Sequence, residues 1–483
     1  MAGELWEGAK NDPTETLVRH AHNGDSLRMR QWIAIGAAAL ALACRETPRV
    51  ALNTTVLAPA AGGEAFEPTL ALDPANPDRI LVGAMYGVPF GRGATGIWVW
   101  QSNDGGRTWT DGRLDPPRWS GGAEPTSAAD VIAQFGTDGS PLVATMAGAD
   151  PDPGGTFVSH LSPSIAPPPA ITVYRNTKDS ATRLTTLHDK PWLVVDHADG
   201  SPYRGSVYLS NGALVMDPGP AGIGKGWNGP LRSRLMLSYS RDSARTFTTP
   251  TLVDDSAFGG NLAIGSKGAL GISYVRIKTK DGGADSVFFR QSTDGGVTLG
   301  RKETVAAMTG DTLLELAVLA ARPNGDFLDC WSQGDRTQER TNQVRCALRT
   351  ADGRWTAVRG LDSAIGPDVV PSWPTVAGTA RGWYLLLYLT GKTRTDVALF
   401  RSVDGHAFAK IATLATAEGL GADRFCVAGA TPCRRTRTDG FSIGDYVTLD
   451  ARAGRLAAAY VFPRGTSADS AAILVTTLAE PNP

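Results

Sequence analysis

The sequence predicts an all-β chain, a propeller of four-stranded blades, with seven blades favoured and six the alternative. Three observations carry this. Gly (56) and Pro (31) are abundant, and no long 3.6-residue apolar period follows residue 50, which is the signature of short strands joined by turns. An aspartate-centred turn recurs along the chain. Short apolar strands of similar flavour open seven successive units. The 483 residues alone would allow two or three domains, but internal repeats override a length-based count.

The recurring turn is complete at Ser102-Asn103-Asp104-Gly105-Gly106-Arg107-Thr108-Trp109. Ser240–Phe247, around Asp242, has Ala in place of Gly; Ser292–Leu299, around Asp294, lacks the final aromatic. Ser402–Phe408, around Asp404, is shortened, and Thr350–Trp355, around Asp352, is a worn fifth copy. In each, the carboxylate can accept backbone N–H groups of its own tight turn. Glycine permits positive φ, and the closing aromatic buries apolar area under the hairpin. Alternating strands such as Ile97-Trp98-Val99-Trp100-Gln101 precede these turns. The repetition marks Asp104, Asp242, Asp294 and Asp404 as structural staples.

The second repeat is the strand that opens each unit. It reads Glu67–Leu72, Asp130–Ala133, Lys190–Val195, Asn261–Ile264, Leu314–Val318, Ser372–Val376 and Gly444–Leu449. The last unit shows only three strands, ending at Ala472–Thr476, and the early segment Arg49–Leu57 can supply its fourth. Pairing the two chain ends in one sheet removes an open edge.

Residues 28–44 read RMRQWIAIGAAALALAC. The apolar run Trp32–Ala43 is shorter than the roughly 20 residues that span a bilayer and suits a signal peptide. Ala41-Leu42-Ala43-Cys44 is similar to a bacterial lipobox, which would make Cys44 the lipidated residue of an exported chain; an ordinary secretory signal is the alternative. On this reading residues 1–28 precede the native start at Met29, residues 29–43 are the signal, and 44–483 form one propeller domain. The remaining cysteines form two close pairs, Cys330/Cys346 and Cys426/Cys433, which fit two local disulfides in an oxidising compartment. Neither pair has CxxC spacing, and the six histidines are scattered, so metal binding is the weaker alternative. The balance of 47 basic against 48 acidic residues, with no long basic block, argues against nucleic acid. The cluster Arg434-Arg435-Thr436-Arg437 and the Pro-rich segment 162–169 read as surface features.

The aspartate turns, together with Glu67-Pro68, Asn76-Pro77, Asp189-Lys190-Pro191-Trp192 and Gly444-Asp445-Tyr446, resemble bacterial BNR-repeat (Asp-box), exo-α-sialidase-like propellers over about residues 50–478. The resemblance implies exo-acting hydrolysis of sialylated or related acidic glycans. It also implies three carboxylate-binding arginines, a Tyr nucleophile paired with Glu, and an Asp acid/base. The family's Arg-Ile-Pro segment is absent, and the corresponding strand reads Phe66-Glu67-Pro68-Thr69. A non-catalytic propeller that binds a glycan or a cell-surface protein is therefore the alternative.

Starts of the innermost strands should ring the axis of a propeller on its binding face: Glu67, Asp130, Asp189, Lys190, Glu315, Trp373, Asp445 and Tyr446. Second-strand ends should bring Tyr86 and Arg276 to the same face. Among these, Glu315 and Tyr446 are the candidate Tyr/Glu pair, Asp130 the candidate acid and Arg276 the candidate anion clamp. The others are candidate substrate contacts. For Asp189-Lys190-Pro191-Trp192 the competing reading is a lock in which Asp caps a loop, Lys pairs with a carboxylate and Trp packs between blades. No cofactor is expected. A carboxylate ring could hold Ca²⁺, although no loop has a recognised calcium spacing. A monomer is expected, meeting the membrane only through the lipid anchor.

Overall fold

The computed structural model describes residues 51–59, 64–87, 96–114, 127–148, 154–161, 170–217, 230–277, 284–308, 312–314, 316–335, 340–359, 361–419, 444, 446–463 and 471–481. The chain divides into a unit Met1–Arg49 and a unit Val50–Pro483, and every described strand belongs to the second. Cys44, Glu315, Cys426, Cys433, Asp445, the Pro-rich segment 162–169 and the basic cluster 434–437 lie outside the described residues.

Seven antiparallel sheets stand around one axis, making a seven-bladed propeller. The innermost strands, blade 1 to blade 7, are Glu64–Leu72, Ser127–Phe135, Thr185–Val195, Ala257–Ile264, the split pair Thr312–Leu314 and Val318–Ala321, Val370–Thr379, and Thr448–Arg452. Each inner strand packs on the inner strand of the next blade, and the seventh packs back on the first. In blade 7 the outermost strand is Asn53–Leu57, which pairs antiparallel with Ala471–Ala479 from Asn53↔Thr477 to Leu57↔Ile473. Thr54 Oγ1 and Thr476 Oγ1, 2.9 Å apart, add a side-chain hydrogen bond. The ring thus leaves no broken edge between first and last blades.

Burial follows position in the blade. The third strand of blade 1, Gly96–Ser102, is buried on both faces because neighbouring blades cover it. The fourth, Thr110–Leu114, lies open to solvent except at Leu114. Near the axis small side chains dominate, as in the Ala457-Ala458-Ala459 run of blade 7's second strand, which is fully buried. Between blades the filling is large: Trp383, Tyr208, Tyr274 and Phe400 are inaccessible, and each such apolar side chain contributes about 1.5–3 kcal/mol when buried.

The aspartate turns close the third-to-fourth strand hairpins at the end of the molecule where inner strands finish. Asp104 Oδ1 accepts the N–H groups of Arg107 (3.0 Å) and Thr108 (2.9 Å), and Oδ2 accepts Thr108 Oγ1–H (2.6 Å). Asp242 and Asp294 repeat the pattern with Thr246 and Thr298. Asp404, in the shortened copy, accepts the N–H groups of His406 and Ala407. Hydrogen bonds from Thr108 and Thr298 hold the Asp104 and Asp294 carboxyls down at about 2. Cys330 and Cys346 sit opposite each other on adjacent strands of blade 5, and a disulfide joins them.

Candidate functional site

Five inner strands carry a bulge at the same place near their start. The register skips between Phe66 and Thr69, Ala129 and Ile132, Asp189 and Trp192, Phe258 and Asn261, and Ser372 and Thr375. In each case one extra residue is inserted, which bends the strand and re-aims a side chain. The first inserted residue has left-handed backbone: Glu67 (φ 55), Asp130 (φ 48), Lys190 (φ 54), Gly259 (φ 63) and Trp373 (φ 51). In blade 5 the inner strand is interrupted at the same level, between Leu314↔Gln333 and Val318↔Cys330. In blade 7 Gly444 (φ 77) precedes the inner strand. Residues just beyond the bulge tie blades together: Thr69 Oγ1–H donates to Val131 O (2.9 Å), Thr448 Oγ1–H to Pro68 O (3.2 Å), and Leu319 N–H to Asn261 Oδ1 (3.0 Å).

This geometry brings together side chains that are far apart in sequence. Lys190 of blade 3 places Nζ 3.5 Å from Asp130 Oδ1 of blade 2. The Lys190 N–H donates to Asp189 Oδ1 (2.9 Å) and approaches Asp130 Oδ2 (3.3 Å). Nζ also stands over the ring of Tyr446, 5.0 Å from its centroid, and Tyr446 tilts against Trp192 at 6.0 Å. Blades 2, 3 and 7 thus meet at an ion pair capped by two aromatics, a cation–π arrangement. Asp130 and Tyr446 are each only 5 % exposed. Glu67 packs on the backbone of blade 7, where a Cβ at Gly444 would collide with Glu67 Cγ. The Glu that the described geometry sets against the Tyr446 segment is therefore Glu67.

The other candidates make these contacts. Arg276 Nε–H donates to Asp285 Oδ1 (2.7 Å), and its guanidinium lies 6.0 Å from the Phe288 ring centroid, so these contacts lie within blade 4. Tyr86 packs edge-on to Trp98 of blade 1 at 5.3 Å. Asp189 caps its own bulge through the Lys190 N–H, Lys190 pairs with Asp130, and Trp192 packs on Tyr446. Trp373 is half-buried against the core beside blade 7.

Sequence reasoning missed two groups at this end of the molecule. His188, next to Asp189, stacks on Tyr174 at 5.0 Å and places Nδ1 3.0 Å from Asn211 Oδ1; burial pushes its imidazole below the ordinary value. Glu64 opens the blade 1 inner strand, and burial pushes its carboxyl up. Adjacency to the Asp189-Lys190-Pro191-Trp192 segment was the available signal for His188. Glu64 carries none.

At the opposite, Asp-box end, the axis widens into a cavity of about 440 Å³ walled by all seven blades, with Trp192 among its lining residues. Trp192 therefore separates this cavity from the Asp130–Lys190–Tyr446 group. Among the described residues no three His, Cys, Asp or Glu side chains converge as a metal site.

No protein-family model matches the chain, and no curated protein sequence matches it. Among solved structures it is similar to a polysaccharide lyase of a new family, PL25 ulvan lyase (12 % identity, 85 % of this chain and 94 % of that one, TM-score 0.48). It is also similar to the α-L-arabinofuranosidase Arb93A from Fusarium graminearum (11 %, 89 % and 98 %, TM-score 0.45) and to the Hadza microbial sialidase Hz136 (15 %, 83 % and 73 %, TM-score 0.45). These likenesses are distant.

Proposed function

We propose that this chain is an exported glycan-acting propeller that engages its ligand at the bulge mouth of its axis. The observation that carries the reading is the left-handed backbone at Glu67, Asp130, Lys190 and Trp373. Blade 4 meets the same geometrical demand with Gly259, which costs nothing sterically. Four other blades spend backbone strain to keep a carboxylate, a second carboxylate, an ammonium and an indole at that level. Strain retained at one mouth of a scaffold is a pointer to ligand contact. Carboxylates bind sugar hydroxyls, aromatics stack on the apolar faces of sugar rings, and an ammonium suits an acidic glycan.

In the hydrolytic form of this reading Asp130 is the proton donor to the leaving oxygen. Tyr446 attacks the anomeric carbon as the bond to the leaving oxygen breaks, and Glu67 or Glu315 takes the phenolic proton. Water, deprotonated by Asp130, then displaces Tyr446, which recovers its proton from that Glu. Lys190 stands in for the arginine clamp as a point charge without the two-pronged geometry of a guanidinium. The second reading is a non-catalytic glycan binder, favoured by the near-complete burial of Asp130 and Tyr446.

One experiment separates the two readings. The chain is assayed on fluorogenic α-sialosides and α-L-arabinofuranosides and in parallel on an immobilised glycan array. Turnover that falls about 100-fold or more in both Tyr446→Phe and Asp130→Asn, within the range of general-acid and nucleophile contributions, establishes the hydrolase. Array binding lost in Lys190→Met without turnover establishes the binder. Neither turnover nor binding overturns the glycan reading.

A further inference from the structure

The cavity at the Asp-box mouth is not needed by the function proposed above, and its chemistry differs from that of the bulge mouth. At about 440 Å³ it falls at the low end of the ~300–1,000 Å³ that small-molecule sites occupy. Its deeper wall is apolar, with Leu70, Leu262, Leu319 and Val376 around Trp192. Its outer wall is charged, and the two signs are not equally free. Asp450 already accepts the N–H groups of Leu72 (2.9 Å) and Ala451 (2.8 Å) and faces Arg452 Nε at 3.2 Å. Asp199 is exposed and paired with Arg204. The cations are less fully engaged. Arg452 Nε is buried yet lies off the line of a hydrogen bond. Lys267 is exposed, with no hydrogen bond or ion pair among the described residues.

His197, also in the wall, places Nε2 2.9 Å from Phe135 O. That contact needs the proton on Nε2 and leaves Nδ1 as an acceptor. Burial, and then the nearby Arg452, pushes the imidazole down to about 4, so it is neutral at ordinary pH and senses the positive field of the wall.

We propose that this mouth is a second ligand site, for a small carboxylate-bearing hydroxylated molecule the size of one sugar ring. Arg452 and Lys267 take the carboxylate as charge-assisted donors. The neutral His197 accepts a hydroxyl, and the indole of Trp192 takes the apolar face. Because Trp192 also packs on Tyr446 at the other mouth, a ligand here presses on the base of the first site.

Titration calorimetry of the full chain with D-glucuronate and D-glucose as probes tests this. Saturable binding of D-glucuronate is expected, with D-glucose at least about tenfold weaker, a difference of ~1.4 kcal/mol. Lys267→Gly removes the charge at a position already at φ 54, so the fold is kept, and it should weaken D-glucuronate about tenfold. Lys410→Met, a charge removed from the exposed outer strand of blade 6 away from both mouths, should leave that affinity unchanged. Equal affinity for the two sugars, no response to Lys267→Gly, an equal loss in Lys410→Met, or no saturable binding overturns the proposal. The response to Lys267→Gly assigns the binding to this mouth, so failure here is distinguishable from failure of the bulge-mouth reading.

Discussion

At the scale of single residues, conformation and charge each make a test. Lys190 at φ 54 is in a region that costs a residue with a Cβ about 1–2 kcal/mol. Lys190→Ala and Lys190→Gly both remove the ammonium beside Asp130. They differ only in that penalty, so the glycine variant should be the more stable by about 1 kcal/mol in urea titrations. Asp329 is the second case. It is fully buried between blades 4 and 5, its Oδ2 accepts Ser273 Oγ–H at 2.6 Å, and its Oδ1 has no partner among the described residues. Burial, against the Ser273 hydrogen bond, pushes the carboxyl up to about 8 from an ordinary 3.8. The folded chain therefore holds a proton that the unfolded chain releases. Stability from this group is full below about pH 4 and drains away as pH rises toward 8. Asp329→Asn is neutral throughout, so melting curves across that window should be flatter than for the parent and higher by roughly 2–4 °C near pH 8.

At the scale of elements, blades are joined by single polar side chains that cross from one sheet to the next. Arg349, the last residue of the blade 5 third strand, forks onto Glu303 of the blade 4 outer strand at 2.9 and 3.0 Å. Trp355 Nε1–H donates to the same carboxylate at 2.8 Å. Burial pushes the Glu303 carboxyl up, but the Arg349 and Trp355 hydrogen bonds outweigh it and hold it below the ordinary value. Arg349→Met leaves a largely enclosed carboxylate with one donor. It should cost roughly 2–4 kcal/mol, short of the loss at a wholly buried pair, and shift its melting curve mainly above pH 5, where Glu303 is charged. Arg241 and Arg322 do comparable work, donating to Gly295 O and Val403 O of the next blade's aspartate turn. The turns are thus sockets as well as staples.

For the molecule as a whole, closure is the decisive contact. Deleting Asn53–Leu57 removes the pairing with Ala471–Ala479, about 3–5 kcal/mol if each ladder hydrogen bond contributes ~1 kcal/mol net. It also exposes a long edge strand. A lower melting temperature together with concentration-dependent association in sedimentation is the expected result. An unchanged melt would mean that packing of the seventh inner strand on the first closes the ring without it.

The propeller was legible in the chain because its causes are local. An Asp two residues after a Ser, followed by Gly and Thr, satisfies its own turn wherever it stands, and alternating apolar residues make a strand without knowing their neighbours. The closing strand Arg49–Leu57 could be recognised because a sheet with one strand missing advertises the deficit. The bulges could not be read. Glu67-Pro68 and Lys190-Pro191 look like ordinary strand starts, and the extra residue exists only relative to a paired strand. The lock reading put Lys190 against a carboxylate but could not name which one, since Asp130, Lys190 and Tyr446 belong to blades 2, 3 and 7. The chain alone determined hairpins, staples and a ring of four-stranded blades, with seven favoured over six, because hairpin and staple contacts lie within a few residues. The count of seven came from the sheets themselves. Which side chains face the axis, which carboxylates are paired, and that the two mouths differ in chemistry were decided only by the tertiary structure. Those properties arise when distant strands enclose a shared space and exclude water from it.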